Sequence, residues 1–147
     1  AWDEHDTLPG TAGLTFDFIH PPRTGVAGSD NANSLVLLVE YQGKRILLSG
    51  DIEAAGLQRL LSQQVLDCDV ILAPHHGSLR SDPPGFAAWS RPEWVVISGG
   101  FDRSDAEVIE AFQAHGAQVL HTARNGAVLV RIEQGQIDVD WFRREDD

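Results

Sequence analysis

Two apolar runs that each end in metal-binding side chains constrain this chain more than any other feature. Val70-Ile71-Leu72-Ala73 leads into Pro74-His75-His76-Gly77, and Arg45-Ile46-Leu47-Leu48-Ser49 leads into Gly50-Asp51. Short apolar runs closed by Gly or Pro read as buried strands. Each strand therefore delivers candidate ligands where the backbone leaves the core. Asp and neutral His are standard oxygen and nitrogen donors to divalent ions, and a catalytic ion keeps one position for water. The plainer alternative is that Asp51 caps the helix that follows and one His bonds backbone. Adjacent side chains on an extended backbone point opposite ways, so only one of His75 and His76 is expected to face a metal directly, and the other either to support the ligand or to face substrate.

The rest of the pattern surrounds these two strands with an alternating α/β order. Leu14 to Ile19 alternates apolar and polar residues as a half-buried strand, and His20-Pro21-Pro22 ends it. Gly25 to Asn33 reads as a loop, followed by a strand over Ser34 to Glu40 and a tight turn, Tyr41 to Lys44, into the strand Arg45 to Ser49. After Asp51 the apolar residues Ile52, Ala55, Leu57, Leu60 and Leu61 follow helical spacing, and Asp67 to Ala73 returns to strand. Ser78 to Pro84 reads as a loop, with a short helix around Phe86 to Trp89 and a strand over Trp94 to Ser98. Ser104 is placed to cap a helix running to about His115, with Gly116 as its stop. Closing strands are expected over Gln118 to Thr122, Ala127 to Ile132 and Gln136 to Trp141. Alternating strands and helices predict a layered α/β fold.

Length and composition bound what this fold can carry. A chain of 147 residues with 42% hydrophobic content buries one core, so residues 1–147 are expected to form a single domain, with residues 1–13 poorly ordered. The sequence has no run near the roughly 20 apolar residues of a membrane helix, and Ala1-Trp2-Asp3-Glu4-His5-Asp6 lacks the pattern of a signal peptide. A chain that starts with Ala and contains no Met is expected to be a piece of a longer protein. The single Cys68 excludes an internal disulfide and a cysteine-rich zinc site. A formal charge of −11 opposes nonspecific attraction to phosphate backbones, so a nucleic-acid substrate is gripped elsewhere or through metal. Part of that charge is the acidic end Glu145-Asp146-Asp147, a solvated tail. The Walker loop, the dinucleotide fingerprint and the Gly-x-Ser-x-Gly elbow are all missing.

Asn31-Ala32-Asn33-Ser34-Leu35-Val36-Leu37, then Leu47-Leu48-Ser49-Gly50-Asp51-Ile52-Glu53, then Pro74-His75-His76-Gly77-Ser78 resemble the metallo-β-lactamase-fold domain of ComEC-type DNA-internalisation (competence) proteins. The likeness continues through Arg91-Pro92 and Val95-Val96-Ile97-Ser98 to Thr122-Ala123-Arg124-Asn125-Gly126-Ala127-Val128. It implies an αββα sandwich in which Asp51 bridges two divalent metal ions, zinc or manganese, and His75-His76 supplies a further ligand. It also implies a parent that hydrolyses DNA phosphodiesters beside a membrane channel, on the extracytoplasmic face of a bacterial membrane. Bacterial choline-phosphate esterases share the same motif pair.

The chain departs from that family in two ways. The family's first metal motif, His-x-His-x-Asp-His, is absent, and Asp3-Glu4-His5-Asp6 does not replace it. The chain thus resembles the C-terminal half of such a domain, expected to be inactive alone and to bind metal weakly or not at all. The family's Gly-His-Pro is replaced by Phe101-Asp102-Arg103-Ser104-Asp105.

Weaker candidates are Asn31, Asn33 and Ser34, which either orient a phosphate or form an Asx turn, and Ser78 and Arg80, which either contact a phosphate or are ordinary surface. Glu53 lies near enough to approach the site. His20, His115 and His121 read as isolated strand-end or surface histidines, and Trp2, Trp89, Trp94 and Trp141 as packing residues. A stand-alone phosphoesterase acting on a small substrate, and a noncatalytic domain supporting a membrane channel, remain the alternatives. A half-sandwich exposes the sheet face its partner layer covers, so the chain is expected to self-associate or to cover that face with its own N-terminal segment.

Overall fold

The computed structural model describes residues 13–142. The expectations for Trp2, for Asp3 to Asp6, for the order of residues 1–12 and for the acidic tail lie outside them. Among the described residues, strands β1 (Leu14–His20), β2 (Val36–Tyr41), β3 (Lys44–Leu48), β4 (Val70–Leu72), β5 (Trp94–Ile97) and β6 (Gln118–His121) form one mixed sheet in sequence order. The first three strands are antiparallel, and β3 to β6 run parallel. Helices α1 (Ala54–Leu61), α2 (Pro83–Ser90) and α3 (Asp105–Gln113) make the three parallel crossovers, and a single turn, α4 (Thr122–Asn125), follows β6. A separate ribbon of β7 (Ala127–Glu133) and β8 (Gln136–Phe142) closes the described chain. The α/β class and the mixed sheet are those expected.

Right-handed crossovers between adjacent parallel strands put every connecting helix on one face. The register identifies that face: Leu47, Ile71 and Val95 stand side by side across β3, β4 and β5. All three are fully buried, in one cluster with Leu57 and Leu60 of α1, Phe86 and Trp89 of α2, and Val108 and Phe112 of α3. The next register row lies on the opposite face and runs Phe18, Leu37, Leu48, Leu72, Val96, Leu120. Every member is apolar, yet Phe18 is 49% and Leu48 40% exposed. The ribbon reaches towards this sheet where the Gly135 amide donates to Oε1 of Gln42 in the β2–β3 turn (2.8 Å).

Several local expectations are corrected. β4 is shorter than Asp67 to Ala73, because Asp67 takes a left-handed conformation (φ 53°) and Asp69 turns its carboxylate to Lys44 Nζ and the Arg45 amide, both at 2.8 Å. The loop expected over Ser78 to Pro84 already contains the start of α2, where Asp82 Oδ1 accepts from the Gly85 amide and Pro83 suits the first turn. Ser104 does not cap α3. Its hydroxyl donates instead to Asp102 Oδ1 at 2.6 Å.

Candidate functional site

The parallel register assembles the site. Leu48 pairs with Leu72 and Leu72 with Val96, so the residues just beyond each strand emerge at the same end of the sheet. That end, at the carboxyl termini of parallel strands, is where open α/β sheets bind ligands. Ser49 Oγ donates to the Leu72 carbonyl (2.6 Å) and the His75 amide donates to the Gly50 carbonyl (2.9 Å), which joins the two exits. Gly50 turns with φ 55°, and a Cβ there would lie 3.0 Å from the Leu35 carbonyl just before β2, so any other residue is strained here and needs that backbone to give by a few tenths of an ångström.

The His pair is not extended. His75 (φ 49°, ψ 47°) and His76 (φ 56°, ψ 27°) are both left-handed, followed by Gly77 at φ 80°. Such a conformation costs about 1 kcal/mol or more per non-glycine residue and collects at functional sites. The two rings still take different partners, as expected, but a left-handed turn separates them rather than strand alternation. His76 Nδ1 donates to the Ser98 carbonyl at 2.7 Å. With Nδ1 committed to that carbonyl, Nε2 is the ring nitrogen turned to Asp51, 3.7 Å from its Oδ1. His75 Nδ1 lies 3.3 Å from Glu53 Oε2, buried and without an aligned hydrogen bond.

Asp51 does not cap α1. The N-cap position belongs to Glu53, whose side chain turns towards His75 and Ser29 instead of the helix amides. Bonds of about 2.0–2.2 Å to a tetrahedral ion put neighbouring donors about 3.4 Å apart, close to the Asp51–His76 separation. The pair thus fits part of a divalent-ion site. Among the described residues no group of three or more His, Cys, Asp or Glu converges closely enough to hold a metal ion.

A cavity of about 590 Å³ opens beside this pair, lined in part by His75, His76, Ser78, Phe101, Asp102 and Asp105. Ser78 uses its hydroxyl to accept from the Arg80 amide (3.2 Å), and Arg80 is exposed outside the lining. Asn33 folds back on its own loop, accepting from the Val26 amide (2.7 Å) and donating to the Val26 carbonyl (2.8 Å). Asn31 stands in the same 3-10 turn, Asn31–Asn33, also outside the lining. Ser34 passes directly over Gly50, beside the Asp51 exit. A second hollow, of about 570 Å³, lies at the other end of the strands, where Glu40 and Asp69 are already paired with Arg45 and Lys44.

Sequence reasoning missed a buried pair of which one member, Asp105, lines the cavity. His121 is 2% exposed, with Nδ1 accepting from the Ala123 amide and Nε2 lying 3.3 Å from Asp105 Oδ2. His20 is likewise buried and bonds the Ala32 carbonyl, whereas His115 is exposed. No spacing signal links Asp105 to His121. They meet because α3 packs against β6.

No family model matches the chain. It is 30% identical over 138 residues to Competence protein ComA of Neisseria gonorrhoeae, an alignment covering 89% of this chain and 20% of that protein. The chain is thus similar to a segment of a competence protein. It is 31% identical over 123 residues to ComE operon protein 3 of Bacillus subtilis (80% of this chain, 16% of that protein). It is 29% identical over 135 residues to Recombination protein 2 of Haemophilus influenzae (89% and 17%). The chain spans a fifth or less of the length of these curated relatives.

Proposed function

We propose that this chain is the C-terminal part of a metallo-β-lactamase-type hydrolase domain, within a protein of DNA uptake that cleaves phosphodiester bonds of DNA. The name of the Neisseria relative, a competence protein, supports the DNA-uptake part of this reading. One observation supports the hydrolase part: Nε2 of His76 and Oδ1 of Asp51 lie 3.7 Å apart, a spacing at which one cation can bind both.

In this reading Asp51 and His76 hold divalent metal, zinc or manganese, and Ser98 orients His76 through its carbonyl. When bound, such ions polarise a phosphoryl oxygen and lower the pKa of water towards about 7. His75, held by Glu53, stands beside the ligands, and Ser34 and Ser78 are the proposed phosphate contacts nearest them. Asn31 and Asn33 shape the loop that carries Ser34. Polypeptide upstream supplies the other ligands and covers the open row from Phe18 to Leu120, and the whole works outside the cytoplasm beside a membrane channel.

The test is elemental analysis and nuclease assay of this chain beside a version extended upstream by about a hundred residues, a typical domain increment. Stoichiometric zinc or manganese with cleavage only in the longer form is the expected result. Absence of both metal and cleavage in the longer form overturns the hydrolase reading in favour of a noncatalytic support.

A further inference from the structure

We infer that Phe101 is a stacking shelf for a nucleobase of the substrate, on the lining of the cavity that also holds His76. This rests on the DNA-hydrolase reading and adds the group that positions the strand.

Phe101 is 68% exposed, the highest value among the large hydrophobic residues described, although the core beneath it is well packed. It shares the cavity wall with His76 and Ser78. Its ring is not loose. It lies nearly parallel to the buried His121 imidazole (13°, centroids 5.8 Å apart), and the Arg124 guanidinium stands 5.7 Å from its centre. The loop is held from both ends: Asp105 Oδ2 accepts from the Asp102 amide at 3.0 Å, and the Gly99 amide donates to Thr122 Oγ1 at 3.0 Å. An exposed aromatic fixed in place stacks a planar partner at little entropic cost.

Charge around the ring selects the partner. Arg124 over the ring opposes a cationic ligand such as a quaternary ammonium, which otherwise seeks an aromatic face. Asp102 and Asp105, in the same wall, repel a phosphate. Hydrogen bonds from the Ser104 hydroxyl and amide hold the Asp102 carboxyl below its ordinary range, so this wall carries charge at neutral pH. What remains is a neutral, planar, π-rich group with N–H donors for the acidic wall, which describes a nucleobase. Its phosphate then extends away from Asp102 and Asp105, towards His76 and Ser78 on the same lining. Base-on-aromatic stacking is tolerant of sequence, as a strand-degrading activity requires.

The test uses the chain as it stands, with 2-aminopurine deoxyribonucleoside 5′-monophosphate, whose fluorescence falls on stacking. Saturable quenching is expected, competed by deoxyadenosine monophosphate but not by 2-deoxyribose 5-phosphate. Phe101→Ala should weaken binding between about 5- and 150-fold, and Phe101→Tyr should restore it. Quenching unchanged in Phe101→Ala, equal competition by the sugar phosphate, or no quenching at all overturns the shelf. The two readings fail separately: an upstream-extended protein that cleaves DNA equally well with Phe101→Ala refutes the shelf alone, whereas base-dependent binding without cleavage refutes the hydrolase alone.

Discussion

Nε2 of His76 lies 3.7 Å from Oδ1 of Asp51, and the opposite ring nitrogen of His76 donates to the Ser98 carbonyl at 2.7 Å. That hydrogen bond turns the other ring nitrogen of His76 towards the carboxylate. His75, one residue earlier, faces Glu53 instead. His76→Ala in an upstream-extended protein is expected to lower metal affinity by more than about a hundredfold. His75→Ala is expected to cost about 10- to 100-fold, the range for a group that supports a ligand. Metal titration of both variants checks the order, and a larger loss at His75 reverses the assignment.

The left-handed backbone at His75 stores strain that the ring's position requires. His75→Gly should raise the stability of the isolated chain by up to about 1 kcal/mol, since glycine adopts this conformation freely. A β-branched Val at the same position should lower it. Urea denaturation of the two variants tests this, and Val tolerated as well as Gly would show that the turn relaxes.

Gly56 stands where α1 meets the Asn31–Asn33 turn, and a Cβ there would lie 2.0 Å from the Ala32 carbonyl oxygen. Alanine gains about 1 kcal/mol over glycine in a helix interior, but backbone atoms on both sides cannot yield. Gly56→Ala is expected to destabilise by about 2 kcal/mol or more, reversing the sign that propensity alone gives. A rise in melting temperature would refute the close approach.

Burial pushes the Cys68 thiol from 9.0 up to about 12. The folded state thus favours the neutral thiol, so its contribution is complete below pH 9 and is lost as pH rises towards about 12. Stability measured by denaturant at pH 8 and pH 11 should fall more steeply in the parent chain than in Cys68→Ala. Equal slopes would mean that the thiolate is accommodated in the fold. Native Cys68 should also resist alkylation at pH 8, because it is 4% exposed and protonated.

The apolar row from Phe18 to Leu120 leaves Phe18 and Leu48 open. The double variant Phe18→Lys, Leu48→Lys is expected to shift the purified chain towards monomer in sedimentation velocity. A parent chain that is monomeric at high concentration with this row still open to solvent would count against the half-domain reading.

The order of elements was legible in the sequence because each strand and helix carries its own hydrophobic period, which local residues set without reference to the rest of the chain. So were the strand exits at Asp51 and at His75-His76, marked by Gly50, Pro74 and Gly77 at the ends of apolar runs. Those signals do not say how two exits face each other. The Leu48–Leu72 register, the left-handed turn at His75 and the Ser98 carbonyl together choose His76 as the partner of Asp51. Likewise, His121 and Asp105 are sixteen positions apart and become a buried pair only through the packing of α3 on β6. The sequence by itself determined the elements, since their patterns are local. The tertiary structure alone decided which side chains meet, since that depends on strand register and backbone handedness at single residues, where one reversed φ redirects a ring.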